Sequence, residues 1–154
     1  MEDLADKKCI PCEGGIPAFD IKEIHKYLKK IDGWDVLADK EKNYYIEKNF
    51  KFRNYVESEK FVINIGKIAE TEGHHPDISF GWGYARVKIS THAIKGLAES
   101  DFVLAAKIDI IYLMIALSYP CKNHFNFSFI RSFYDFFVSN RAARLNNSFY
   151  TSIY

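Results

Sequence analysis

Two short runs hold three of the chain's five histidines: Glu70-Thr71-Glu72-Gly73-His74-His75-Pro76-Asp77 and, seventeen residues after His75, Ser90-Thr91-His92. Imidazole titrates near neutral pH, so two imidazoles on opposite sides of a substrate serve as acid and base at once. Such a pair suits the elimination of water from a carbon that also bears an amine. One proton goes to the leaving oxygen, another comes off nitrogen, and neither transfer requires a metal or a redox cofactor. Glu70, one helical turn before His74, is placed to orient an imidazole or raise its basicity. Two other readings stay open at this point. A His-His pair is often a surface or hydrogen-bonded feature, and three histidines can hold zinc. Adjacent side chains diverge, however, and the pair lacks the i, i+4 spacing of helical zinc motifs, so no metal and no cofactor are expected.

These residues need elements to carry them. Asp20 precedes Ile21, Ile24, Leu28 and Ile31 at helical spacing, and Glu23 completes a capping box, which predicts a helix over about 21–31 closed by Gly33. Trp34 and Val36 mark a short strand, and Asp39-Lys40-Glu41-Lys42 a polar turn. In a second strand Tyr44, Ile46, Phe50 and Phe52 alternate with Tyr45, Glu47, Asn49 and Lys51, one row for a core and one for water. Lys48 interrupts the inner row, which suggests a sheet edge. Asn54 with Glu57 caps a central helix whose stripe is Phe61, Val62, Ile65, Ile68 and Ala69, ending near Gly73. His74 and His75 therefore sit at a helix-to-strand junction. Ile78 and Phe80 form a third strand, Gly81-Trp82-Gly83-Tyr84 a turn, and Ala85, Val87, Ile89 and Thr91 a fourth strand that ends at His92. A last helix is expected from about 99, with Ser100 as its candidate cap. The order α-β-β-α-β-β-α, without long crossovers, points to an α+β fold: an antiparallel sheet with helices on one face.

At 154 residues the chain fits one domain with a moderate core. Lys+Arg 21 against Asp+Glu 20 leaves a net charge of +1, so no field of one sign recommends nucleic acid or an anionic membrane, and a small-molecule ligand is expected. No basic stretch followed by an apolar run opens the chain. The longest apolar run, Ile110 to Leu117, falls short of the roughly 20 residues of a membrane span, so a soluble, cytoplasmic protein is expected. Cys9, Cys12 and Cys121 make an odd count best read as free thiols, although Cys9-Ile10-Pro11-Cys12 has redox or half-zinc-site spacing. After about residue 112 the character changes. Phe125, Phe127, Phe129, Phe133, Tyr134, Phe136 and Phe137 follow no steady period, and four basic residues from Lys122 to Arg144 face Asp135 alone. Residues 1–112 are taken as one domain and 113–154 as an aromatic-rich extension: an extra packing element, an oligomer contact or sequence under no folding constraint.

The run Glu70-x-x-x-His74-His75-Pro76, an aromatic at Trp82, then Ser90-Thr91-His92 and Gly96-Leu97-x-x-x-Asp101, resembles the signature of the pterin-4a-carbinolamine dehydratase family. The resemblance covers about residues 4 to 110. It includes Cys9-x-x-Cys12-x-Gly14-Gly15, Gly33-Trp34 and Leu104-Ala105-Ala106-Lys107-Ile108-Asp109. It implies a four-stranded antiparallel sheet, homodimers or homotetramers built through the sheet edge and helices, and dehydration of 4a-hydroxytetrahydrobiopterin to quinonoid dihydrobiopterin. Carried over by position, it makes His74 and His92 the acid/base residues and His75 the residue that holds the pterin. Asp101 becomes a carboxylate near the pocket, Glu70 the acid that opens the motif, and Trp34 an aromatic lining. Ala98 stands where the family usually has a capping Ser or Thr. The alternative that the resemblance implies is a non-catalytic binding module, since some relatives act as dimerisation partners of a transcription factor.

Overall fold

The structure is a computed structural model that describes residues 4–9 and 17–118. After a 3₁₀ turn at Leu4–Asp6 come helix Ile21–Leu28 (α1), strands Asp35–Ala38 (β1) and Tyr44–Lys51 (β2), and helix Tyr55–Glu72 (α2). Strands Asp77–Gly81 (β3) and Tyr84–Ile89 (β4) and helix Glu99–Ser118 (α3) complete the order. The four strands form one antiparallel sheet in the order β1-β2-β4-β3. This is the α+β architecture that the alternation pattern predicts. Ile46, Phe50, Ala85, Val87 and Ile89 fill the inner face and are fully or almost fully buried. They share one core with Ile24 of α1, Phe61 and Ile65 of α2, and Phe102, Leu104 and Ile108 of α3. Burying each large side chain is worth about 1.5–3 kcal/mol, so this cluster holds all three helices on the same face.

The helix ends follow from local chemistry. Asp20 accepts the Glu23 N–H at 2.8 Å and Glu23 reaches back to the Asp20 N–H, the reciprocal box read from the sequence. α1 stops at Leu28, earlier than the periodicity suggests. Ile31 keeps the apolar spacing because it packs on the core from the turn after α1, which ends at Gly33 (φ +69°). Asn54 caps α2 through the Glu57 N–H at 3.0 Å. Gly73 ends it in the left-handed region (φ +63°), where only glycine fits without strain.

Three expectations need correction. Lys48 is not at an edge: β2 lies between β1 and β4, and Lys48 faces inward because its Nζ meets Asp109 Oδ1 at 2.7 Å and the Asp32 carbonyl. His92 does not end a strand; β4 stops at Ile89, and His92 opens a 3₁₀ turn to Ile94. Thr91 and Gly96 exchange backbone hydrogen bonds to close that loop. Ser100 does not cap α3, because the helix already starts at Glu99. The Asp101 carboxylate instead accepts the Ala98 N–H at 2.7 Å, the half of a capping box that an alanine leaves possible. α3 continues to Ser118, beyond residue 112. Cys12, Cys121 and the aromatic extension after 118 lie outside the described residues. No helix among the described residues is long and apolar enough to cross a membrane.

Candidate active site

Gly73 turns the chain out of α2, and the His74 N–H bonds back to the Ala69 carbonyl at 3.1 Å. That bond fixes where the imidazole starts. Its Nε2 lies 2.9 Å from Asp101 Oδ1, with the His74 side chain only 12% exposed and Asp101 fully buried. Asp101 accepts three hydrogen bonds: from His74, from Thr91 Oγ1 at 2.9 Å and from the Ala98 N–H. With every donor aimed at it, the carboxylate takes Nε2–H and leaves His74 Nδ1 as the free lone pair. The His74 imidazole is thus oriented by Asp101, not by Glu70.

Glu70 serves the neighbouring ring. His75 Nε2 lies 2.9 Å from Glu70 Oε1, and both side chains face solvent. The antiparallel register, Asp77 opposite Lys88, brings the segment before β3 alongside the segment after β4. Ser90, Thr91 and His92 therefore emerge at the sheet end that carries His74 and His75, and Asp101 ties His74 to the residue before His92. His92 itself is exposed and lines a cavity of about 270 Å³ with Tyr44, Tyr45, Lys88, Thr91 and Lys95. His74 and His75 are not among the residues that line it.

Trp34 lies apart from this cluster. It is 4% exposed and its Nε1–H donates to Asp109 Oδ2 at 3.0 Å, about two turns along α3 from Asp101. The structure therefore joins His74, Asp101 and the Ser90-Thr91-His92 run, pairs His75 with Glu70 beside them, and leaves Trp34 in the core. Thr91, which the alternation along β4 and its place between Ser90 and His92 leave without a chemical role, proves to be a ligand of the Asp101 carboxylate. Among the described residues no three His, Cys, Asp or Glu side chains are placed to hold a metal ion.

The family described as pterin 4 alpha carbinolamine dehydratase matches residues 17–111. This chain belongs to that family. A relative from Rubrobacter xylanophilus named for the same dehydratase is 44% identical over 109 residues, 71% of this chain and 98% of its own length. Another, from Azoarcus, is 49% identical over 111 residues, 72% of this chain and 92% of its own. A crystal structure titled transcriptional coactivator/pterin dehydratase, from Brucella melitensis, matches with a TM-score of 0.57 and 26% identity. It covers 62% of this chain and 98% of the other. The family match thus covers the sheet, α1, α2, α3 as far as Ile111 and every residue of the histidine cluster.

Proposed function

We propose that the protein dehydrates 4a-hydroxytetrahydrobiopterin to quinonoid dihydrobiopterin, with His74 and His92 as the proton-transfer residues. The observation that carries this is the Asp101 carboxylate, which orients His74 and holds Thr91 next to His92. His74 Nδ1 takes the proton from the ring nitrogen, and Asp101 stabilises the imidazolium that forms. The nitrogen lone pair closes a C=N bond as the C–O bond breaks. His92, open to the cavity, gives the leaving hydroxyl the proton that makes it water. His75, paired with Glu70, holds the pterin beside His74. The atoms balance with no co-reactant, and the imidazoles return to their starting forms by exchanging one proton with solvent.

The test is the rate of carbinolamine dehydration by single variants. His74→Ala and His92→Ala are each expected to slow it by about 10²–10⁴, the usual cost of losing a general acid or base. Variants as fast as the parent would remove the assignment. Homo-oligomerisation and residence in the cytoplasm belong to the same reading. The oligomer is supported by apolar side chains left in water, among them Trp82 at 72%, Val56 at 53% and Ile63 at 52% exposure. Light scattering that returns only the monomer mass would exclude it. The Brucella structure's title favours one second reading, a protein-binding role on this fold. A stable partner retained by a triple His74, His75 and His92 alanine variant with no dehydratase activity in the parent would establish it.

A further inference from the structure

Glu72 and Lys107 take no part in the chemistry above, yet their side chains are only 11% and 14% exposed and their charged groups pair directly. The pair links the last residue of α2, two before His74, to α3 at a point six residues beyond Asp101. It runs beside the His74–Asp101 bond, so the exit of α2 and the body of α3 are tied twice. Residues 4–9 add a third strand of contacts. The Cys9 N–H donates to Glu72 Oε2 at 2.8 Å, and Cys9 Sγ donates to the Ser100 carbonyl at 3.5 Å. Lys7 pairs with Glu99 at 2.6 Å, and Leu4 is buried in the core. Every one of these polar anchors falls on Glu72 or on the first turn of α3, beside Asp101.

The ionisation states suit a fixed structure. Burial, with the Glu72 charge adding to it, pushes the Cys9 thiol up to about 12, so it stays a neutral donor at physiological pH. Burial would raise the Glu72 carboxyl, but the hydrogen bonds from Lys107 and Cys9 outweigh it and hold the group below the ordinary range. A withdrawn ion pair is poor value as a mere stabiliser, because apolar side chains of similar size often do as well. Its particular strength is direction, since a charge-assisted bond fixes two elements in one register.

We propose that Glu72, Lys107 and residues 4–9 are a positioning device that holds His74 in the orientation and tautomer set by Asp101. The kinetic half of this claim rests on the dehydratase reading; the tautomer half does not. Ring ¹⁵N chemical shifts of His74 report the tautomer directly. The parent is expected to show Nε2–H alone. Lys107→Met and Glu72→Gln are expected to move the shifts towards those of Asp101→Ala, while Lys107→Arg keeps them. Glu72→Gln keeps the shape of the carboxylate and serves if Lys107→Met does not fold. In the dehydration assay, Glu72→Gln should lower kcat about tenfold with KM within twofold, as expected of a small displacement of a reacting group. It should add no further loss to Asp101→Ala, because both act through His74. Unchanged ring shifts in folded Lys107→Met or Glu72→Gln, with only the melting temperature lowered, would overturn the proposal. A parent without activity but with variant-dependent shifts would remove the dehydratase reading and leave the positioning role standing.

Discussion

Asp101 lies fully buried among three donors, and the behaviour of His74 depends on it. Replacing it with Asn keeps the shape, but with its oxygen held by Thr91 and the Ala98 N–H it turns an amide N–H donor towards Nε2, which forces the other tautomer. In an established carboxylate–histidine catalytic site the same change lowers kcat by about 10⁴. Asp101→Asn is therefore expected to lower kcat by about 10²–10⁴ with little change in KM, as read by steady-state dehydration. A change in KM alone would mean that Asp101 only shapes the pocket. The sequence pointed to Glu70 for this task because i and i+4 residues meet on a helix. That rule fails here because Gly73 leaves the helix at φ +63° before His74 is reached. Residue types and their spacing in the motif found the histidines, while the carboxylate that serves each of them depended on where one helix ends.

At the scale of elements the same glycine can be tested. Nothing lies within 4 Å of a Cβ built on Gly73, so a side chain there meets backbone strain and no clash. Gly73→Ala is expected to cost about 1–2 kcal/mol in denaturant unfolding, and Gly73→Asn less, since Asn tolerates the left-handed region. The alternation along β2 was legible, but Lys48 was not, because its partner Asp109 sits 61 residues away on α3. No local pattern announces such a pairing. Lys48→Met strands the Asp109 carboxylate in the core and should cost about 3 kcal/mol at neutral pH. Burial already raises the Asp109 carboxyl, against the hydrogen bonds from Lys48 and Trp34. The folded state therefore binds that proton more tightly than the unfolded one. Stability from this group is greatest below the ordinary aspartate range and falls as pH rises through the folded value. The Lys48→Met deficit should accordingly shrink as pH is lowered, which unfolding at a series of pH values will show. Glu72 has the opposite sign. Its contribution is present above the ordinary glutamate range and is lost as pH falls through its depressed folded value.

For the molecule as a whole, the α+β order and the core were readable because periods of 2 and 3.6 report burial directly. The core cluster draws on residues from Leu4 to Ile111, with Tyr112 and Ile115 packed against it. A chain ending at Ser118 is thus expected to fold and to retain the parent's dehydration rate within about twofold. Loss of activity in that chain, with its unfolding transition intact, would mean that residues after 118 contribute to the site. The histidine cluster gathers at one end of the sheet from a helix exit, a loop after β4 and the first turn of α3, which is how three distant stretches come to share one carboxylate. The most direct test of the central claim is the decay of 4a-hydroxytetrahydrobiopterin with the full chain and with the His74→Ala/His92→Ala double variant. The parent is predicted to accelerate dehydration well above the spontaneous rate and the double variant to return it to that rate. A parent that does not exceed the spontaneous reaction, or a double variant that keeps the parent's acceleration, would contradict it.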